Sequence, residues 1–130
     1  MKKVETNKAP AAIGPYSQAF ISGGFIFTSG QIPLDPNTGY MVGNTVGEQA
    51  KQVIMNIGAI LDEAGTSFDS VIKTTCYLTD MDDFAEFNAV YERFFISRPA
   101  RSCVAVKELP KGALCEMEVV AELGTLVKIL

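Results

Sequence analysis

Histidine is absent from all 130 residues. The usual acid–base group near neutral pH is therefore missing, and any proton transfer falls to Glu, Asp, Lys, Tyr, Cys, the backbone or water. Cysteine is scarce: Cys76, Cys103 and Cys115 make an odd number with no C-x-x-C spacing. Together these absences argue against a disulfide framework and against a zinc site. The three thiols read as small buried hydrophobes, and no metal is expected. No apolar stretch approaches the roughly 18 residues that a membrane helix needs. The opening MKKVETNKAPAAIGP lacks the apolar segment of a secretory signal. No membrane contact is expected, and the expected compartment is the cytoplasm. There is no basic run, and the net charge is −4, which disfavours a nucleic-acid partner on electrostatic grounds.

What is present is hydrophobic: 48% of the residues. That content in a chain of this length fits a single domain over 1–130 with a real core. Residues 17–21 and 25–29 read as strands around Ser22-Gly23-Gly24, where glycine permits the positive φ of a tight hairpin. Residues 31–44, rich in Pro, Gly, Asp and Asn, read as loop, with a short strand near 40–42. Thr45-Val46-Gly47-Glu48 fits a capping box. Val46, Ala50, Val53, Ile54, Ile57, Leu61 and Ala64 then recur at helical spacing, and Gly65 supplies the stop. Residues 70–79 are β-branched and strand-like. Asp80 can cap a second helix through about Phe95, with Phe84, Phe87, Tyr91, Phe94 and Phe95 as its apolar residues.

Pro99 precedes a strand over 101–106, and Leu109-Pro110-Lys111-Gly112 reads as a turn. The last strand, 114 to about 123, alternates: Cys115, Met117, Val119, Ala121 and Leu123 on one face, Glu116, Glu118, Val120 and Glu122 on the other. The order β-β-α-β-α-β-β predicts an α+β fold, a single mixed β-sheet with two helices packed on one face. Two helices cover only one face. Yet Phe25-Ile26-Phe27 and Val119-Val120-Ala121 put apolar side chains on both. A second copy of the chain is the expected cover, hence a homo-oligomer.

Several residues are candidates for chemistry. Arg101 opens the apolar run Cys103-Val104-Ala105-Val106, and a guanidinium cannot shed its charge to escape burial. It is either a surface arginine at a strand end or a two-point clamp for a carboxylate. Glu116 is its natural counterpart if the last two strands pair, although the register is open. It is either one of a solvated row of glutamates or a partly desolvated base with a raised pKa. Asn88 shares a helical stripe with Phe84, Tyr91 and Phe95, and a buried amide needs partners; a neighbouring loop would serve. Tyr16 follows Gly14-Pro15 and is either packed or a ligand contact. Thr28-Ser29-Gly30 ends a strand where glycine allows close approach of backbone to a ligand.

Five stretches together carry a resemblance. They are APAAIGPYSQ from Ala9, TSGQIP from Thr28, the segment Phe84 through Tyr91, PARSCV from Pro99, and LPK from Leu109 with EME from Glu116. In this order over nearly the whole chain the sequence resembles the Rid (YjgF) family of reactive intermediate enamine/imine deaminases, in its archetypal RidA-like subgroup. The resemblance implies a chorismate-mutase-like fold and a homotrimer with three inter-subunit clefts. It implies hydrolysis of 2-imino acids such as 2-iminobutanoate and 2-iminopropanoate, or their enamines, to 2-oxo acids and ammonia. Dehydratases that use pyridoxal phosphate release these intermediates in amino-acid metabolism. The hydrolase itself would need no cofactor. Carried over by motif, Arg101 holds the substrate carboxylate and Glu116 activates water. The Cys103 carbonyl helps hold water or nitrogen, Tyr16 lines the pocket, and Ser29, Gly30 and Asn88 shape it.

A covalent role for Cys103 is disfavoured, because no imidazole is present to lower its pKa. Two departures stand out: Ile96-Ser97-Arg98 is a shorter link than in many relatives, and the tail over 122–130 runs past the usual end, with Leu126, Val127, Ile129 and Leu130 candidates to dock on the trimer. The competing functions are a non-catalytic binding module for small carboxylate metabolites, and an endoribonuclease. The acidic balance and missing histidine weigh against the latter.

Overall fold

The computed structural model describes residues 1–124, so the apolar positions expected in the tail, 126–130, lie outside the described residues. Six strands form one mixed sheet: β1 (Lys2–Val4), β2 (Ala19–Ser22), β3 (Phe25–Thr28), β4 (Val71–Leu78), β5 (Ala100–Ala105) and β6 (Cys115–Glu122), in the order β1-β2-β3-β6-β4-β5. Helices α1 (Val46–Glu63) and α2 (Phe84–Phe94) complete the α+β architecture. No helix among the described residues is long and apolar enough to cross a membrane.

The local signals account for most boundaries. Gly23 and Gly24, at φ 61° and 85°, form the two-residue link between β2 and β3. Only glycine takes two successive positive φ values without steric cost, and such a link matches the twist of the strands. Thr45 caps α1: its side chain accepts from the Glu48 N–H, and the Glu48 carboxylate accepts from the Thr45 N–H. Gly65, at φ 82°, ends that helix. Asp80 accepts from the Asp82 N–H and starts a 3₁₀ turn rather than α2 itself, which begins at Phe84. Strand β1 was not foreseen, since three residues of which two are lysine carry no periodic signal. Residues 40–42 form only an isolated bridge, Met41 with Leu34.

The core lies between the helices and one face of the sheet. Val53, Ile54, Ile57, Ile60 and Leu61 of α1 are fully buried, as are Cys76 and Leu78 of β4 and Cys115 and Met117 of β6. All three cysteines are free, and burial pushes the Cys76 and Cys115 thiols up to about 12. The opposite face carries Phe20 and Phe27, which are register partners and stand 36% and 47% exposed. Val104 of β5 is 46% exposed. Neither α1 nor α2 covers that face.

Strand pairing corrects one expectation. The strands carrying Arg101 and Glu116 are consecutive but do not pair: β4 lies between them, parallel to β5 and antiparallel to β6. The segment β4-α2-β5 forms a parallel crossover unit, which sets β5 beside β4. Only the other edge of β4 is then open to β6, and residues 106–114 carry the chain past the strand's end.

Buried amides that hydrophobic periodicity passed over hold the 31–44 loop. Asn56 donates to the Leu34 and Ile32 carbonyls at 3.0 and 3.3 Å and accepts from Gln52 at 2.9 Å. Gln49 donates to the Gly43 carbonyl and accepts from the Leu114 N–H at 2.7 Å. Replacing Asn56 by Ala strands buried carbonyls, a cost of about 1–3 kcal/mol. The expected outcome is a lower denaturant midpoint in urea titration.

Candidate active site

The pleat of the sheet divides the candidate residues into two groups. Arg101 is in register with Thr74, which is fully buried on the helix side, and Cys103 is in register with Cys76. Both therefore face α2. Glu116 is in register with Tyr77, between buried Cys115 and Met117, and so points to the open face. Within one chain, the two groups expected to share a cleft lie on opposite sides of the sheet.

On the helix side, Arg101 is held before any ligand arrives. Its Nη1 donates to Asn88 Oδ1 at 2.7 Å. Its guanidinium carbon lies 4.7 Å from the ring centre of Tyr91 and 5.5 Å from that of Phe84. The Tyr91 hydroxyl is itself tied to Thr74 Oγ1 at 2.8 Å. Asn88 thus bonds to the arginine rather than to the loop its helical position suggested. Among the described residues no carboxylate lies within 4.0 Å of Arg101. An arginine side chain has about 2 kcal/mol of rotamer entropy to lose; the amide and the two rings have already removed part of it. One of five N–H donors is committed to Asn88, leaving the rest of the fork for an incoming anion. The spacing of Phe84 and Tyr91 predicts core positions; the structure also makes them a floor under the Arg101 guanidinium, a use that apolar spacing does not distinguish from core packing. The Cys103 thiol is half-buried, and burial raises its pKa despite the neighbouring Arg101. That is the reverse of what a thiolate nucleophile needs.

On the other side, Glu116 closes a pocket of about 390 Å³ with Tyr16, Ser29, Gly30, Ile32 and Pro110 among its walls. The bends that build this wall are specified by polar groups. Ser29 donates from its hydroxyl to the Ser17 carbonyl and from its N–H to the Gln18 carbonyl. Gln31 and Met117 exchange two backbone bonds, 2.8 and 3.1 Å, clipping the 29–31 segment against β6. The buried Gln18 side chain bonds to Thr6, Ala9 and Pro10. It thereby fixes the strand-less run that leads to Tyr16, which is 47% exposed. Gln18 was not singled out as a site residue; its one signal was an amide at the edge of an apolar strand.

Burial, and secondarily the Glu118 carboxylate, hold Glu116 above the ordinary carboxylate range. Both are on the same face of β6. Gly30 is required by that carboxylate: a Cβ there would overlap it. The Gly30→Ala variant must move the Glu116 carboxylate aside; the overlapped atoms are the end of a flexible side chain, so a rotamer shift costing about 1 kcal/mol or less is expected. Chemical denaturation reads the cost, and a crystal structure of the variant reads the displaced side chain.

Comparison with known proteins bears on this arrangement. A family model described as Endoribonuclease L-PSP matches residues 6–123. The chain is 52% identical over 128 residues to the RutC family protein slr0709 of Synechocystis, covering 96% of this chain and 98% of that protein. It is 48% identical over 124 residues to human 2-iminobutanoate/2-iminopropanoate deaminase, covering 95% and 90%. Among solved structures, Escherichia coli TdcF with bound serine superposes with a TM-score of 0.90 at 44% identity, covering 95% of this chain and all of that one. Relatives of the same fold thus bear names of different activities, but fold, length and identity agree: the chain belongs to the Rid (YjgF) family.

Proposed function

We propose that this chain is an imine/enamine deaminase that hydrolyses 2-iminobutanoate- and 2-iminopropanoate-type acids to 2-oxo acids and ammonia. The observation that carries the reading is Arg101: a guanidinium fixed by Asn88 and two aromatic rings, with no carboxylate among the described residues within 4.0 Å. A group arranged in this way is pre-set to receive a small carboxylate. Human and mouse relatives of nearly full-length coverage carry the deaminase name, and the serine of the TdcF structure is a small amino acid with a carboxylate.

The site needs two copies of the chain. The Arg101 side of one copy would meet the Glu116 side of a neighbour over the exposed apolar face of Phe20, Phe27 and Val104. Two different surfaces meeting head-to-tail close into a ring, and the family resemblance implies three subunits. The substrate carboxylate docks on Arg101, and Asn88 keeps the fork aligned. The neighbour's Glu116 removes a proton from water as its oxygen attacks the C=N carbon. Glu116 passes that proton to the nitrogen of the resulting carbinolamine, and the C–N bond breaks to release ammonia. The adduct's hydroxyl gives its proton back to Glu116 as the C=O bond forms. That last proton leaves with ammonia, so iminium plus water gives 2-oxo acid plus ammonium. The carbonyl of Cys103 would help hold the water or the nitrogen; Tyr16, Ser29 and Gly30 shape the pocket.

No cofactor is called for. An iminium is already electrophilic, and general base help of about 10²–10⁴-fold is a sufficient contribution. Arg101 contributes position rather than proton transfer. The cytoplasm, where such dehydratase products arise, is the proposed compartment.

The test couples the protein to a serine or threonine dehydratase and follows imine trapped by semicarbazide. Catalytic amounts of protein should shorten the imine lifetime; no effect would count against the reading. Glu116→Gln should lower kcat by about 10²–10⁴-fold while 2-oxo acid affinity is kept, whereas in a pure binding module the change would be nearly silent. The base must be ionised to act, so kcat/KM should fall as pH drops through the raised Glu116 pKa, and Glu118→Gln should move that acid limb to lower pH. Sedimentation should find an oligomer; a monomer at working concentration would remove the composite site.

A further inference from the structure

Arginine occurs three times in this chain, at Arg93, Arg98 and Arg101, and all three line a single cleft of about 670 Å³ where α2 ends and β5 begins. No lysine lines it, and Glu92 is its one acidic wall residue. In a chain of net charge −4, that is a local reversal of sign. Clefts of roughly 300–1,000 Å³ take ligands much larger than a small alkyl acid. Arg101 is committed to Asn88 and its aromatic floor. Arg93 lies against the Phe94 ring at 5.8 Å. Arg98 is exposed, and neither it nor Arg93 has a carboxylate within 4.0 Å among the described residues.

The backbone at Arg98 supplies a second, independent observation. Its φ is 54°, in the left-handed region, and its N–H donates to the Phe95 carbonyl at 3.1 Å to close the turn after α2. Glycine adopts that conformation freely, whereas any residue with a Cβ resists it. The turn would form more easily with glycine. An arginine kept there against its backbone preference points to its side chain, and strain of this kind collects at ligand sites.

We propose that Arg98, with Arg93 beside it, forms a second anion subsite next to Arg101, so that the preferred substrates are 2-imino acids bearing a second carboxylate. This rests on the reading of Arg101 as the clamp for the first carboxylate. The α-carboxylate takes the fixed fork, and the side-chain carboxylate reaches the 96–98 turn, whose planar guanidinium suits two-point recognition. The short link between α2 and β5 is then a specificity element: it brings Arg98 within the same cleft as Arg101.

The experiment measures binding of two stable keto acids, 2-oxobutanoate and 2-oxoglutarate, to the full chain by calorimetry. The expected result is about tenfold tighter binding of the dicarboxylate, the scale of a charge-assisted pair. Arg98→Gly should bring the ratio to about one while the melting temperature stays equal or rises, because glycine relieves the turn. Arg98→Lys should keep part of the preference. A wild-type ratio of one or below, or a ratio unchanged in Arg98→Gly, overturns the subsite. So does a lower melting temperature with equal loss of both ligands, which would make Arg98 structural or a contact between copies. The binding ratio needs no turnover. A chain that favours the dicarboxylate yet leaves the imine lifetime unchanged refutes the deaminase reading alone, whereas one that hydrolyses imines without the ratio refutes the subsite alone.

Discussion

A pleated strand sends alternate side chains to opposite faces, and in this molecule helices cover only one of those faces. Nearly every functional feature follows from that constraint. On β6 it buries Cys115, Met117, Val119 and Ala121 against α1 and turns Glu116 and Glu118 outward. On β5 it turns Arg101 toward α2, where Asn88 and two rings receive it. With β4 inserted between the two strands, Arg101 and Glu116 of one chain do not lie side by side. The same constraint leaves Phe20 and Phe27 outward and partly exposed among the described residues. The proposed second copy would answer both the uncovered face and the separation of Arg101 from Glu116.

The chemistry proposed for the site is modest, and the residues are suited to modest chemistry. There is no histidine, no metal-binding cluster of side chains among the described residues, and no thiol poised as a thiolate. What the fold offers instead is order. Arg101 has surrendered much of its freedom before ligand binding, and Glu116 sits in a pocket whose glycine leaves room for its carboxylate. Pre-organised groups spend less of their interaction energy on being ordered. For an electrophile that reacts with water unaided, that advantage, with a carboxylate made more basic by burial and by Glu118, is the kind of help needed.

The helices were legible because their cues are local. The capping box at Thr45, the 3.6-residue apolar rhythm and Gly65 all act within a few residues of one another. The two-glycine hairpin was legible for the same reason. β1 was not, since its three residues become a strand only by pairing with β2. Leu109–Gly112 carries a turn signal but leaves open whether the strands it joins pair, because a turn signal does not say which strand lies next door; β4 lies between them. The helical position of Asn88 suggests an amide in need of a partner, and the structure supplies Arg101 rather than a loop: sequence spacing reveals that an amide faces inward but not what awaits it there. Gln18, Gln49 and Asn56, which hold loops in place, left no periodic trace.

Composition and pattern by themselves determined the α+β class, the two amphipathic helices, the alternation that exposes one edge of glutamates, and the residue types available for catalysis. These depend on near neighbours along the chain and on which side chains exist at all. Only tertiary structure decided that β4 separates Arg101 from Glu116, that Arg101 rests on Tyr91 and Phe84, and that all three arginines open onto one cleft. Those outcomes turn on the order in which strands pair, and pairing is set by which edges remain free once the crossover through α2 has packed, a competition among distant segments that no local pattern records.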